Sequence, residues 1–118
     1  MADYDLWSEI QSKTKQLDYS VKELRKSGTA YAEAERAYKI KLREACLRLK
    51  GEGMAIGMIS LTCYGVPEIA ELRFKRDCAQ AIYRANLEAI NAIKLEIKII
   101  NEQLGRELGR PGMGTGSM

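Results

Sequence analysis

The sequence contains no histidine, which removes the commonest general base and the commonest metal ligand of proteins. Catalysis by serine–histidine or cysteine–histidine pairs is excluded as a consequence. The phosphate-binding patterns GxxxxGK[S/T] and GxGxxG are also absent. Each carboxylate stands close in sequence to a lysine or arginine. We therefore predict that the protein is not an enzyme and holds neither a cofactor nor a metal ion.

Cysteine is scarce, with three residues at positions 46, 63 and 78 and no CxxC pair. An odd number of widely spaced cysteines favours buried thiols in a reducing compartment over a disulfide framework, and it argues against a zinc site or a redox dithiol. The acidic start of the chain does not resemble a secretory signal. The most apolar window, residues 54–66, is far shorter than the roughly 20 residues that span a bilayer. We expect a cytoplasmic protein without membrane contact.

Proline and aromatic residues are few, whereas Ala, Leu, Ile, Glu, Lys and Arg dominate the sequence. That composition favours helix throughout. The length of 118 residues suits one domain with a modest core. The sequence thus predicts a single helical domain over residues 1–105. The glycine-rich residues 106–118 are predicted to form a flexible tail.

One long helix, about residues 67–104, organises the prediction. Along it, alternating steps of three and four residues define a heptad seam, which we interpret as an oligomer seam. At ~1.5 Å per residue the helix is roughly 55 Å long, which indicates an elongated molecule. The predicted seam residues are Ile69, Leu72, Tyr83, Asn86, Ile90, Ile93, Ile97 and Ile100. A second apolar line, which implies that the helix is covered from two directions, comprises Cys78, Ile82, Ala85, Ala89, Ala92 and Ile99.

Two polar residues interrupt the seam, Arg76 and Asn86. Polar residues at seam positions commonly fix register and oligomer state at some cost in stability. For Asn86 we favour that role. For Arg76 the alternative is equally good, namely that the covering helices stop short and leave the guanidinium in water.

Two N-terminal helices, about 4–26 and 30–50, are predicted to cover the long helix, separated by a break or kink at residues 27–29. A continuous helix kinked at Gly28 is the alternative. Glycines 51 and 53 end the second helix, and residues 54–64 form a short helix, with a strand as the rival interpretation. Pro67 suits the first position of the long helix. The predicted fold class is all-α: an elongated helical bundle built on one long C-terminal helix.

The net charge of +3 is unevenly distributed, since residues 22–50 carry nine Lys or Arg against four Glu. The candidate contacts for nucleic acid or an acidic partner are Arg73, Lys75, Arg76, Arg84, Lys39 and Arg43. An aromatic residue among cations, such as Phe74, can stack on a base while the charges hold phosphates. The alternative is a set of solvated helix faces with internal ion pairs.

Several stretches resemble small uncharacterised helical proteins of temperate phages and prophages of Gram-positive bacteria. They are the runs 52–56, 64–77 and 81–86 together with Ala-Glu-Ala-Glu-Arg at 32–36, and the resemblance covers most of residues 20–105. It implies a bacterial host cytoplasm and a role in DNA metabolism or directed at the host. It carries over no functional residue.

Two functions of different classes follow. The first is a non-enzymatic helical interaction protein that self-associates through the seam and binds a protein partner, such as a host protein or a recombination or replication factor. The alternative is a nucleic-acid-binding accessory protein that uses basic helix faces. A plain coiled-coil spacer is a weaker hypothesis, because residues 54–66 are too apolar for one.

Overall fold

The computed structural model describes residues 3–109, which form three helices: α1 (Asp3–Gly51), α2 (Ile56–Gly65) and α3 (Pro67–Glu107). No strand occurs within that range. The all-α class, the long C-terminal helix and the short helix before it are confirmed, and the strand alternative for residues 54–64 is wrong. Of the predicted tail, Arg106 and Glu107 belong to α3, while residues 110–118 lie outside the described range.

The predicted break at residues 27–29 is wrong, because α1 is one continuous helix of 49 residues. Its buried face runs through the expected break: Leu24, Ser27 and Tyr31 follow at steps of three and four, and Ser27 is buried. A Cβ atom on Gly28 would lie 3.3 Å from Cε1 of Tyr83. Gly28 therefore serves close packing of two helices rather than termination of one.

Two short connections separate the helices. After α1, Gly53 adopts a φ of +89°, a conformation that glycine tolerates best, and the amide of Met54 donates to the carbonyl of Leu49 at 3.1 Å. After α2, Val66 is extended, and Pro67 opens α3 with the φ that a first helical turn requires. The glycines and the proline thus set the three helix boundaries as the sequence predicts.

The chain divides into two compact units, of which unit 2 comprises Arg25–Arg84. In it α1 and α3 run antiparallel, and α2 packs against both. The hydrophobic core draws on all three helices. Its buried members are Tyr38, Ala45, Leu49, Ile59, Cys63 and Ile69.

Unit 1 comprises Met1–Leu24 and Ala85–Met118, so α1 and α3 each contribute to both units. Among its described residues, α1 and α3 pack as a pair, again antiparallel. Leu6 is buried against Ile100 and Leu104. Lys13 Nζ forms an ion pair with Glu96 Oε2 at 2.9 Å. The hydrophobic cluster of unit 1 is accordingly small and lies near the chain ends.

The predicted seam is the face of α3 that packs within the chain: Ile69, Ile90 and Ile100 are buried, and the other predicted seam residues are half-buried. The expectation that α3 is covered from two directions is wrong. Because the N-terminal part forms one helix instead of two, no helix of the described residues covers the face of α3 that carries the second apolar line. All members of the second apolar line are exposed, namely Cys78, Ile82, Ala85, Ala89, Ala92 and Ile99.

Candidate interaction surfaces

The outer face of α2 is the most apolar exposed surface of unit 2. The helix has ten residues without a single charge, and only Ile59 and Cys63 are buried. A helix that is apolar on all sides is normally buried on all sides. We define the α2 face by three exposed large side chains that follow at steps of three, Met58 (54%), Leu61 (71%) and Tyr64 (46%). Ile56 (79%) is exposed on another side of the helix.

A cation borders the α2 face, and unit 2 carries a positive net charge. The guanidinium carbon of Arg73 lies 5.2 Å from the centroid of the Tyr64 ring, a cation–π contact. Unit 2 as a whole carries twelve Lys or Arg against seven Asp or Glu, a balance of +5. An apolar face within such a field favours a partner that combines apolar and acidic side chains.

Arg76 belongs to the seam, and its guanidinium is engaged there. Its Nη1 donates to Glu35 Oε1 at 2.9 Å and its Nε donates to Asp77 Oδ1 at 2.8 Å. The guanidinium also stacks over the Tyr38 ring at 4.7 Å. The hydrogen bond to Glu35 is the main cause that raises the pKa of Arg76. With its side chain only 20% exposed, Arg76 is neither left in water nor available to a phosphate.

The predicted basic cluster on α3 is dispersed in the structure. Arg73 and Lys75 are two residues apart, hence on nearly opposite sides of the helix, whereas Arg73 and Arg84 share a side about 16 Å apart. Lys75 lines a groove together with Glu68 and Glu71. Those carboxylates would oppose a phosphate at that position.

Five of the eight basic residues of α1 in unit 2 do form one surface. At 100° per residue, Arg25, Arg36, Lys39, Arg43 and Lys50 fall within a sector of about 60° over a rise of about 37 Å. All five are exposed, and the glutamates of the same stretch fall outside the sector. We call these five residues the α1 basic ridge. It includes the predicted contacts Lys39 and Arg43.

In unit 1 the outward side of α3 carries a line of exposed apolar residues. Ala85, Ala89, Ala92 and Ile99 follow at steps of four, three and seven, which is again heptad spacing, and Leu95 lies beside them. Leu95 and Ile99 are both more than half exposed. We call these five residues the α3 outer stripe.

Asn86 ties the two helices of unit 1 together at the seam. Its Nδ2 donates to the backbone carbonyl of Glu23 at 3.3 Å. A side-chain amide that donates to the backbone of the opposite helix favours one register of the helix pair over the neighbouring registers. The position of Asn86 is thus as the register hypothesis requires, though within one chain.

Two of the three cysteines meet in the core of unit 2. Sγ of Cys46 on α1 lies 3.2 Å from Sγ of Cys63 on α2. Cys63 is fully buried, and this burial raises the pKa of its thiol. No group of three or more potential metal ligands occurs within residues 3–109. The pair is therefore a dithiol, which the spacing of 17 residues did not suggest.

Sequence reasoning missed three features, two of which have a signal in the chain. The run 53–67 carries no charge, which indicates a helix that is apolar on its outer side as well. Five of the eight basic residues of α1 in unit 2 share one side on a helical wheel. The cysteine pair had no local signal, because its two members lie on different helices.

Comparison of the chain with protein-family models, with curated proteins and with solved structures gives no match. Over residues 3–109, no helix combines the length and the apolar character needed to cross a membrane. The functional argument accordingly depends on the surfaces described above.

Proposed function

We propose that the protein is a non-enzymatic helical interaction protein that self-associates and binds a protein partner. The observation that carries this proposal is the α2 face. Three large apolar side chains stand exposed on one side of a helix without charge, and a solvent-exposed patch of that kind usually marks a binding surface. The resemblance of the sequence to small phage proteins supports a host protein or a recombination or replication factor as the partner.

The partner is a protein segment that presents apolar side chains bordered by carboxylates. Apolar contacts with Met58, Leu61 and Tyr64 supply the affinity, since burial of apolar area is the main favourable term in association. Acidic side chains of the partner complement Arg73 and the +5 balance of unit 2. An amphipathic helix with acidic flanks meets both requirements.

Peptide binding tests this surface. We expect a labelled amphipathic peptide with leucines at three-and-four spacing and glutamate flanks to bind, and its lysine-flanked counterpart not to bind. Leu61→Gln should weaken binding of the acidic peptide at least roughly tenfold, because it removes one buried contact. The matched control is Leu47→Gln, which changes a leucine of α1 that is also more than half exposed.

Failure of the acidic peptide to bind, or equal loss in the two variants, would overturn the assignment of the α2 face. Vesicles of anionic lipid form a further arm of the experiment. Binding to vesicles without binding to peptide would contradict a protein partner and indicate a membrane-surface ligand instead.

Self-association uses the α3 outer stripe, not the seam, because the seam packs within the chain. Small residues at heptad spacing let two helices approach closely.

Light scattering over a range of concentrations tests this dimer. We expect a mass approaching twice the 13.3 kDa of one chain. Ala92→Glu should return the mass to that of one chain, since it places a charge in the apolar contact. Ala30→Glu, a change at an exposed alanine of α1, should leave the dimer intact. A single-chain mass for the unmodified protein at every concentration sinks the proposal.

The α1 basic ridge favours a second candidate function, that of a nucleic-acid-binding accessory protein. Five cations on one side of a straight helix can follow a phosphate backbone. If each neutralises one phosphate, affinity for DNA should fall several-hundred-fold between about 50 and about 200 mM salt. Fluorescence anisotropy of labelled single- and double-stranded DNA measures this dependence.

Matched variants assign any such binding to a surface. Arg36→Gln with Arg43→Gln should reduce affinity and lower the salt slope by about 2. Lys94→Gln with Lys98→Gln removes two exposed cations of α3 in unit 1 and should have little effect. Absence of binding at low salt would eliminate this second function and leave the protein partner.

A further inference from the structure

We propose that Cys46 and Cys63 are a site of oxidative modification, at which exchange with a low-molecular-weight disulfide such as oxidised glutathione forms an intramolecular disulfide between α1 and α2. The inference does not depend on the proposed function. It starts from the distance of 3.2 Å between the two Sγ atoms, which belong to residues on different helices of unit 2.

The geometry brings the sulfurs within reach of a bond. A disulfide forms when its sulfurs approach to about 2 Å, so closure requires a movement of about 1 Å between α1 and α2. Both cysteines are free thiols in the structure. The connection after α1 contains Gly51 and Gly53, and neither glycine has atoms near enough to oppose a small adjustment.

The two thiols differ in burial, and this difference assigns their roles in the reaction. Cys46 is half-buried and can meet a small disulfide, whereas Cys63 is 0% exposed. Burial raises the pKa of Cys63 further, which keeps its thiol protonated, although the charge of Arg48 lowers it in part. Cys46 is thus the attacking sulfur, and Cys63 is the resolving sulfur.

The reaction balances in two exchange steps. The Cys46 thiolate attacks one sulfur of oxidised glutathione, which forms a mixed disulfide and releases one glutathione thiolate. Cys63 then gives up its proton and attacks Sγ of Cys46, which releases the second glutathione. Two electrons and two protons pass from the protein dithiol to glutathione, and the protein is left with one disulfide.

The disulfide links α2 covalently to α1. In the reduced protein only Ile59 and Cys63 anchor α2 by burial. A bond across 17 residues lowers the entropy of the unfolded chain, and the midpoint of thermal unfolding should rise by roughly 10 °C. Reduction with dithiothreitol should reverse the shift.

Mass spectrometry after incubation with oxidised glutathione tests the site. The background is Cys78→Ser, because Cys78 is exposed and would form an adduct of its own. In this background we expect loss of two hydrogen atoms and no retained glutathione. Adding Cys63→Ser should leave a glutathione adduct on Cys46, whereas adding Cys46→Ser should leave the chain without an adduct.

The rate of disulfide closure tests whether the folded geometry brings the two sulfurs together. Closure in the folded protein should be at least roughly tenfold faster than in the chain unfolded in urea, because the fold holds the sulfurs together. Circular dichroism confirms that each variant keeps its helices. Retention of both thiols at excess oxidised glutathione, a persistent adduct in the Cys78→Ser protein, or equal rates in the folded and unfolded states would overturn the proposal.

Discussion

Units 1 and 2 use the same two helices yet differ in how they bury apolar surface. In unit 2 a third helix joins the pair, and six buried residues form the cluster. In unit 1 no third helix joins within the described residues, and the cluster has three buried members. Large apolar side chains are exposed in both units, among them Trp7 (53%), Leu95 (57%) and Ile99 (52%) in unit 1 and Leu61 (71%), Phe74 (63%) and Ile82 (58%) in unit 2.

The comparison of the two units shows that an antiparallel helix pair alone has a small hydrophobic core. Two helices bury one stripe each, and a segment of this size then has too little core to be stable by itself. Unit 2 obtains more core from α2, although α2 in turn exposes its own apolar face. Unit 1 has no such helix, and oligomerisation is a common remedy in small helical proteins.

Matched truncations should give the largest difference between the units. Ile69→Ala, in the three-helix cluster, should lower the free energy of unfolding by about 4 kcal/mol. Ile100→Ala, in the two-helix cluster, should lower it by about 2 kcal/mol, because a thinner cluster relaxes more readily around the cavity. Urea denaturation monitored by circular dichroism measures both. Equal losses would remove the energetic distinction between the units.

A smaller effect is expected at Gly28, where α1 and α3 approach closely. Gly28→Leu should lower the free energy of unfolding by about 2 kcal/mol, since even a Cβ would lie 3.3 Å from the Tyr83 ring. The control is Gly57→Leu, at a glycine with open space around it. A Gly28→Leu protein as stable as the original would show that the close approach of α1 and α3 does not need a glycine at this position.

The smallest effect is expected at Asn86. Asn86→Leu should raise the free energy of unfolding by about 1 kcal/mol, because an apolar side chain replaces a half-buried amide in the seam. The substitution should also allow more than one register of the helix pair. This should appear as broadened or doubled amide resonances in an NMR spectrum. Lower stability with a single set of resonances would contradict the register role.

The sequence predicted the elements of the fold well where periodicity and boundary residues agree. Three-and-four spacing placed α3, and Gly51, Gly53 and Pro67 placed the boundaries of α2. The predicted break at Gly28 was wrong because glycine occurs at close helix contacts as well as at helix ends. The residues that distinguish the two roles are Tyr31, Tyr83 and Ser27. Tyr83 is far from the other two in the sequence, and Ser27 is polar, so the sequence does not show that they lie on one packed face.

The surfaces were harder to predict, because a seam within one chain has the same spacing as a seam between chains. The basic residues at 73–76 were grouped because they are neighbours in the sequence. In a helix, however, Arg73 and Lys75 lie on nearly opposite sides. The proximity of Cys46 and Cys63 depends on how α2 folds back against α1. No local pattern contains that information.

Amide hydrogen exchange at two protein concentrations tests most directly whether a second copy completes unit 1. Above the association threshold, amides of residues 85–107 should become more protected, whereas those of residues 38–72 should exchange at rates independent of concentration. Exchange that is insensitive to concentration throughout the chain, or that changes equally in both segments, would contradict the claim.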